Sequence, residues 1–283
     1  MLQRFCRKPC QAAMRKLYPN LVLAGLLYLC SCSPQKVYYQ SPIHTFSNNY
    51  KSLPLIQDSI PAATYGSAMY SGGGANQHQR DNINAFQASL YRAHTIGQVF
   101  QAYYGVTGML GNYEVKRYEQ NMLSSFYNIK DSIINSRAGN KFFGGAGFTG
   151  GINITRSFRG GEWRAVSAEV NWLKEFGKYQ SFRKDMPDSI PDLNDKTTNY
   201  FTFAFGTEIL FKTKKGAFGM KLSRVYYPRT LKRSNDDKKK EGWTGFVSQT
   251  LHLTVNRITG FVQGNFGTHA MSAHLGANFR LGN

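Results

Sequence analysis

Two-residue alternation of apolar and polar side chains runs from about Thr64 to the C-terminal residues, and it leaves this chain few ways to fold. In Asn199–Lys212 the odd positions are Phe201, Phe203, Phe205, Ile209 and Phe211, interrupted by Thr207, with Thr202, Ala204, Gly206 and Glu208 between them. In Ala270–Leu281, Met271, Ala273, Leu275, Ala277, Phe279 and Leu281 alternate with Ser272, His274, Gly276, Asn278 and Arg280. Successive side chains of a strand point to opposite faces, so each segment has one apolar and one polar face. A soluble sandwich would turn the apolar face inward. Long strands whose polar faces are rich in Gly, Ser, Thr and Asn point the other way, to a barrel with its apolar face toward lipid.

The N-terminal region belongs outside that fold. Residues 1–20 hold Arg4, Arg7, Lys8, Arg15 and Lys16 and no acid, and Leu21–Leu29 is a nine-residue apolar run. Nine residues are too few to cross a bilayer as a helix. The run ends in Leu29-Cys30-Ser31-Cys32, which resembles the bacterial lipobox, where a small residue precedes the cysteine that is cut and acylated. Ser31 suits that role and Leu29 does not, so residues 1–31 are expected to be a lipoprotein signal peptide and Cys32 the lipidation site. All four cysteines (Cys6, Cys10, Cys30 and Cys32) lie in or beside the leader. The mature chain then has no structural disulfide and no cysteine metal site, and its stability must come from ladder closure and burial.

The formal charge of +19 includes the five leader cations, so the mature chain carries 19 − 5, or +14. Part of the excess sits in Arg229–Glu241, with six basic and three acidic residues. No nucleic-acid reading motif accompanies it. A solvated loop facing anionic lipopolysaccharide accounts for it, and no nucleic-acid partner is expected.

Residues 32–63, with proline at 34, 42, 54 and 61 and no sustained period, read as a lipidated tether. It would lead from the periplasmic face to the first strand, packing Leu53, Leu55 or Ile56 against the barrel. Ten strands are expected within 64–283: 64–71, 83–92, 96–109, 141–155, 162–176, 199–212, 217–227, 243–255, 258–267 and 270–281. No proline falls inside any of them, as pairing on both edges requires. Short connections at 93–95, 156–161, 213–216 and 256–257 alternate with long ones at 72–82, 110–140, 177–198 and 228–242. Thr268-His269 breaks that rhythm. Short turns at one rim and long loops at the other mark outer-membrane barrels.

Parity across the turns agrees. A turn at Lys214-Lys215 sets Phe211 against Phe218, Ile209 against Met220 and Glu208 against Lys221. A turn at Asn256-Arg257 sets Val255 beside Ile258, Leu251 beside Val262 and Thr254 beside Thr259. Aromatic residues near strand ends (Phe142, Phe143, Trp163, Trp172, Tyr200, Tyr226, Tyr227 and Trp243) suggest interfacial girdles. Met122, Phe126, Ile129 and Ile133 have helical spacing within the loop 110–140.

No hydrolase, zinc-protease, Walker or dinucleotide motif occurs, so no catalytic, cofactor-binding or metal residues are assigned and no cofactor is expected. Gly72-Gly73-Gly74 lacks a strand-to-helix context and reads as loop. The glycines of Phe142–Gly151 read as aids to strand coiling. His252 and His274 fall on lumen parity with Glu169, Glu208, Lys221 and Arg280, and a narrow lumen makes them a satisfied polar filling rather than a catalytic set.

Cys32-Ser33-Pro34, Val37-Tyr38-Tyr39, Pro42-Ile43-His44, a Gly-rich first hairpin and Phe86–Ile96 (FQASLYRAHTI) together resemble a family of outer-membrane β-barrel lipoproteins of unassigned role common in Bacteroidota. The resemblance is one of layout over most of the mature chain and implies fold and location, with no ligand. The expected fold is therefore all-β, a closed antiparallel up-and-down barrel of about ten strands, eight being the alternative. The expected function is a non-enzymatic, lipid-anchored outer-membrane barrel acting as scaffold, assembly or secretion partner, or narrow channel. Its partners would be outer-membrane lipid, lipopolysaccharide and other outer-membrane or secretion-apparatus proteins. The alternative is a periplasmic barrel lipoprotein carrying a lipid or small ligand on an apolar interior.

Overall fold

The computed structural model describes residues 39–58, 60–76, 81–117, 134–187, 194–227, 244–267 and 270–282. Ten antiparallel strands close into one up-and-down barrel, each paired with its neighbours in sequence and β1 paired with β10. They are β1 (Ala62–Ala75), β2 (Asp81–Ile96), β3 (Phe100–Val115), β4 (Gly139–Phe158), β5 (Gly161–Phe176), β6 (Asn199–Thr213), β7 (Gly216–Tyr227), β8 (Thr244–Val255), β9 (Ile258–Gly267) and β10 (Ala270–Gly282). Closure along Tyr70↔Leu275 and Ala68↔Ala277 leaves no free sheet edge. The eight-strand alternative is excluded.

Cross-strand pairing follows side-chain parity. Phe211 lies opposite Phe218, Ile209 opposite Met220 and Glu208 opposite Lys221. Val255 faces Ile258, and Leu251 faces Val262. Two connections differ from expectation: β1 runs on through Gly72-Gly73-Gly74 to Ala75, so those glycines are strand and not loop, and β2 runs on through Ile96 with β3 beginning at Phe100. Gly97, at φ +68°, turns the chain there because it tolerates the left-handed region without steric cost. The helically spaced residues 122, 126, 129 and 133 lie outside the described residues.

The apolar faces point outward. Phe86, Leu90, Leu110, Phe148, Ile152, Phe205, Leu251, Val262 and Leu275 are exposed all round the barrel. Water-soluble proteins seldom expose contiguous apolar patches beyond a few hundred Å². Hydrocarbon is the solvent in which this exterior is stable. Strands of 10 to 20 residues, about 14 on average, rising ~3.3 Å each and tilted ~40°, give a wall of about 35 Å. That height covers a bilayer core. The aromatic girdle needs correcting, since Phe143, Tyr200 and Tyr227 are buried inside the barrel whereas Phe142 and Trp163 are exposed on its exterior.

The inside is polar and full. Gln87, Thr107, Asn171, Thr202, Ser223, Ser248, Gln263, Asn265 and Asn278 are buried there, and segment 39–61 lies among them. The described part of the tether expected to run to β1 from the periplasmic face, residues 39–58 and 60–61, instead threads the lumen. The correction has a physical cause. Inward-facing wall groups such as Tyr91, Gln101, Arg164 and Asn265 need partners once the lumen is closed off, and the carbonyls of an irregular segment supply them.

Charge on the exterior should be costly in proportion to its depth. Phe205→Arg, near the middle of β6, is expected to destabilise the barrel by about 2–4 kcal/mol. Phe211→Arg, near its lower end, should cost less than about 1 kcal/mol. Urea unfolding in lipid vesicles, followed by tryptophan fluorescence, measures both. Equal losses, or a larger one at Phe211, would contradict the lipid-facing assignment.

Candidate functional site

The occupied lumen concentrates most of the buried chemistry. Segment 39–61 descends it in register with the walls. At the long-loop rim Tyr39 bridges to Asn194, and Tyr179 donates a hydrogen bond to the Gln40 carbonyl at 3.0 Å. One turn of helix, Ile43–Phe46, follows. Its Ile43 occupies space left by Gly145, where a Cβ would come within 2.6 Å of the isoleucine Cδ1. Ser47 Oγ meets Thr202 Oγ1 at 3.3 Å, and the Tyr50 N–H donates to Gln263 Oε1 at 3.0 Å. Lower down, Tyr91 donates to the Ser52 carbonyl at 2.9 Å and Gln101 to the Pro54 carbonyl at 2.6 Å. At the short-turn rim the Gln57 N–H donates to Glu162 Oε1 at 3.1 Å, and Thr95 N–H to the Pro61 carbonyl at 2.8 Å.

Tyr50 and Arg164 are the centre of this arrangement. Tyr50 donates to Glu208 at 2.8 Å and stacks on His252 with ring centroids 4.4 Å apart. Arg164, fully buried, donates to Glu208 Oε2 at 2.8 Å, to Gln101 Oε1 at 3.2 Å and to the Leu53 carbonyl at 3.2 Å. His252 Nε2 lies 2.8 Å from Glu208 Oε1, off the direction of a good hydrogen bond. Lys221, which faces Glu208 across the ladder, makes its ion pair with Glu169 instead. Glu208 is already committed to Arg164.

A second polar cluster closes the long-loop mouth. The helix Lys178–Lys184, in the loop 177–198, places Tyr179, Phe182 and Arg183 inward. Arg183 pairs with Glu175, and His44 Nε2 lies 3.4 Å from Asp195 Oδ2. Burial alone would raise the Asp195 carboxyl, but the His44 hydrogen bond and charge, with bonds from Thr197, hold it down at about 2.

His252 and His274 lie inside the lumen as parity indicated, both buried. Ser71 Oγ lies 2.7 Å from His274 Nδ1, and Asn265 Nδ2 lies 2.9 Å from its Nε2. These are the contacts of a structural histidine. Glu169 and Lys221 are buried, whereas Arg280 is partly exposed near the short-turn rim. Cys32, the expected lipidation site, lies outside the described residues. Among the described residues no group of three or more His, Cys, Asp or Glu could hold a metal ion.

Arg164 was not legible from parity. Relative to both neighbouring strands β5 carries one extra residue, with Arg164↔Glu208 followed by Ser167↔Gly206. This bulge returns both Glu169 and Arg164 to the lumen, although they stand on opposite parities. Tyr50 and Asp195 had no periodic signal at all.

No protein-family model and no curated protein matches the chain. Solved barrels resemble it distantly. The translocator domain of the autotransporter NalP from Neisseria meningitidis shares 10% identity, with coverage of 80% of this chain and 92% of that one, at a TM-score of 0.35. The β domain of the Bordetella autotransporter Brka shares 10% identity over 78% of this chain and 100% of that one, at 0.38. The KdgM porin shares 9% over 76% and 99%, at 0.28. Similarity this remote carries no information on ligand or mechanism.

Two outcomes follow for the site. Arg164→Met leaves Glu208 buried without its cation and is expected to cost about 3–5 kcal/mol, whereas Arg164→Met with Glu208→Leu should recover most of the loss. Urea midpoints measure both, and cleavage after Lys51, buried within the segment, reports its release to trypsin. A double variant as unstable as the single one would refute the pairing.

Because the folded Asp195 value lies below the ordinary 3.8, its contribution is complete above pH 3.8 and is lost as pH falls through about 2. Wild type and Asp195→Asn should therefore differ in unfolding midpoint at pH 5 and converge near pH 2. A difference that persists undiminished at pH 2 would exclude the carboxylate as its source.

Proposed function

We propose that this chain is a non-enzymatic outer-membrane barrel, closed by its own N-terminal segment and anchored by lipid at Cys32, that serves as a scaffold or assembly partner. One observation carries the choice against a conduit: segment 39–61 occupies the path a channel would take, bonded along its length to wall groups that include Thr202, Asn265, Gln263, Glu208, Gln101 and Glu162. Outer-membrane residence is supported by the exposed apolar exterior and by the grouping of long loops at one rim. Partners would be lipid and lipopolysaccharide around the barrel, and other outer-membrane or secretion-apparatus proteins at its loops. A carrier of lipid on an apolar interior is not favoured, since the lumen is lined by Gln, Asn, Ser and Thr and is already filled.

Planar-bilayer recording tests the closed barrel. The intact protein is expected to give no steady conductance, and a chain lacking residues 39–58 to give discrete opening steps. Steady conductance through the intact protein would sink the scaffold reading in favour of a channel.

A further inference from the structure

We infer that the part of the chain preceding Tyr39 leaves the barrel on the long-loop face and is displayed on the outside of the cell. The proposal rests on the outer-membrane reading above, in which the long loops are extracellular and the short turns periplasmic.

The direction of threading is fixed by contacts spaced along the wall. Tyr39, Ile43 and Phe46 pack with Ala75, Ile83, Tyr113 and Phe143, all at or near strand ends that carry the long loops. Leu53 packs with Ala63, Tyr65, Tyr91, Ala93 and Tyr103, at the ends joined by short turns. Between the two sets the contacts descend strand by strand: Thr202 before Glu208 on β6, and Asn265, Gln263 and Thr259 in that order on β9. Asp58, past the lower cluster, forms an ion pair with Lys212 at 2.8 Å beside the β6–β7 turn. The chain therefore enters at the long-loop rim, leaves at the short-turn rim and turns directly into β1.

Reach excludes the opposite placement for what comes before. From Tyr39 back to Cys32 is 39 − 32, or seven, Cα steps, about 25 Å at full extension. β5, of 16 residues, stands about 40 Å tall at the usual tilt. A stretch of 25 Å cannot return to the short-turn face, and the lumen that would admit it is occupied. The acyl chains proposed for Cys32 would accordingly enter the outer leaflet at the cell surface. The periplasmic leaflet, where a lipoprotein tether starting at the short-turn face would sit, is out of reach.

The test inserts a FLAG octapeptide at three places in the full-length chain: between Gln35 and Lys36, between Pro187 and Asp188 in a long loop, and between Lys214 and Lys215 in a short turn. Antibody is applied to intact cells and, separately, to lysed ones. Binding to intact cells at 35/36 and 187/188, with 214/215 detected only after lysis, is the expected result. Protection at 35/36 while 187/188 is bound would overturn the inference and leave the barrel orientation standing. Binding at 214/215 in place of 187/188 would instead overturn the orientation, and with it the outward display; that failure is read from the two barrel tags alone. Should the 35/36 insertion disturb folding, the unmodified chain supplies a second measurement. Trypsin added to intact cells should cut after Lys36 and leave a barrel beginning at Val37, and a barrel whose N terminus is unchanged after such treatment would also overturn the proposal.

Discussion

Hydrocarbon offers no hydrogen-bond partner, and that constraint organises the whole molecule. Each strand must find both of its ladder neighbours within the chain, which is why β1 and β10, the most distant strands in sequence, are paired along twelve residue positions. Once the ladder is closed, alternation sorts the side chains without further instruction. Phe203 and Phe205 go outward because Thr202 and Ala204 go inward. The sorting, with the β5 bulge, also creates a difficulty, for together they collect Arg164, Glu169, Glu208, Lys221 and His252 in a confined interior. Groups of that kind, dry and unpaired, would cost several kcal/mol each.

Segment 39–61 resolves this difficulty with the polarity opposite to an ordinary core. It contributes backbone as much as side chain. The carbonyls of Leu53 and Pro54 accept from Arg164 and Gln101, and the carbonyls of Thr45 and Tyr50 accept from Asn265 and Asn278. Carbonyls are present at every residue whatever the sequence, so the segment needs no regular period to dock. It needs an irregular path that keeps these groups unpaired with one another, which its prolines help to maintain. Buried ion pairs such as Arg164–Glu208 add little net stability over an apolar pair of the same shape. Their effect is on register, because a slip of the segment by one residue would strand both the carboxylate and the guanidinium.

The barrel itself was legible in the sequence, and the contents of the lumen were not. Period-two alternation marks walls, and it located all ten strands, but it stopped β1 short of Gly72–Ala75 and misplaced the β2–β3 turn because Gly97, not Ala93, makes it. Loop lengths and cross-strand parity added the rim assignment and the pairing of Phe211 with Phe218. What alternation cannot carry is the place of a segment with no period. Residues 39–61 look the same to it whether they hang free or fill a lumen. Parity also fails across a bulge, so Arg164 was hidden by one extra residue near Ala165. The mouth helix Lys178–Lys184 was missed because two turns with a single aromatic pair, Tyr179 and Phe182, give too short a pattern to register.

The distribution of apolar groups explains how a chiefly polar filling excludes water. Two apolar clusters lie at opposite ends of the lumen, one around Phe46, Phe143, Tyr179 and Phe182, the other around Leu53, Tyr65 and Tyr91. Between them lies the polar stretch centred on Tyr50. Each neutral hydrogen bond there contributes about 0.5–1.5 kcal/mol at most when water competes for the same groups. Closing both ends removes the competitor, and the lower local dielectric strengthens the attraction between Arg164 and Glu208 while raising the cost of separating them. The two seals and the polar centre are therefore interdependent. An opening at either rim, as from an inward side chain at Gly145 displacing Ile43, would admit water to the whole length of the segment and weaken contacts it never touches directly.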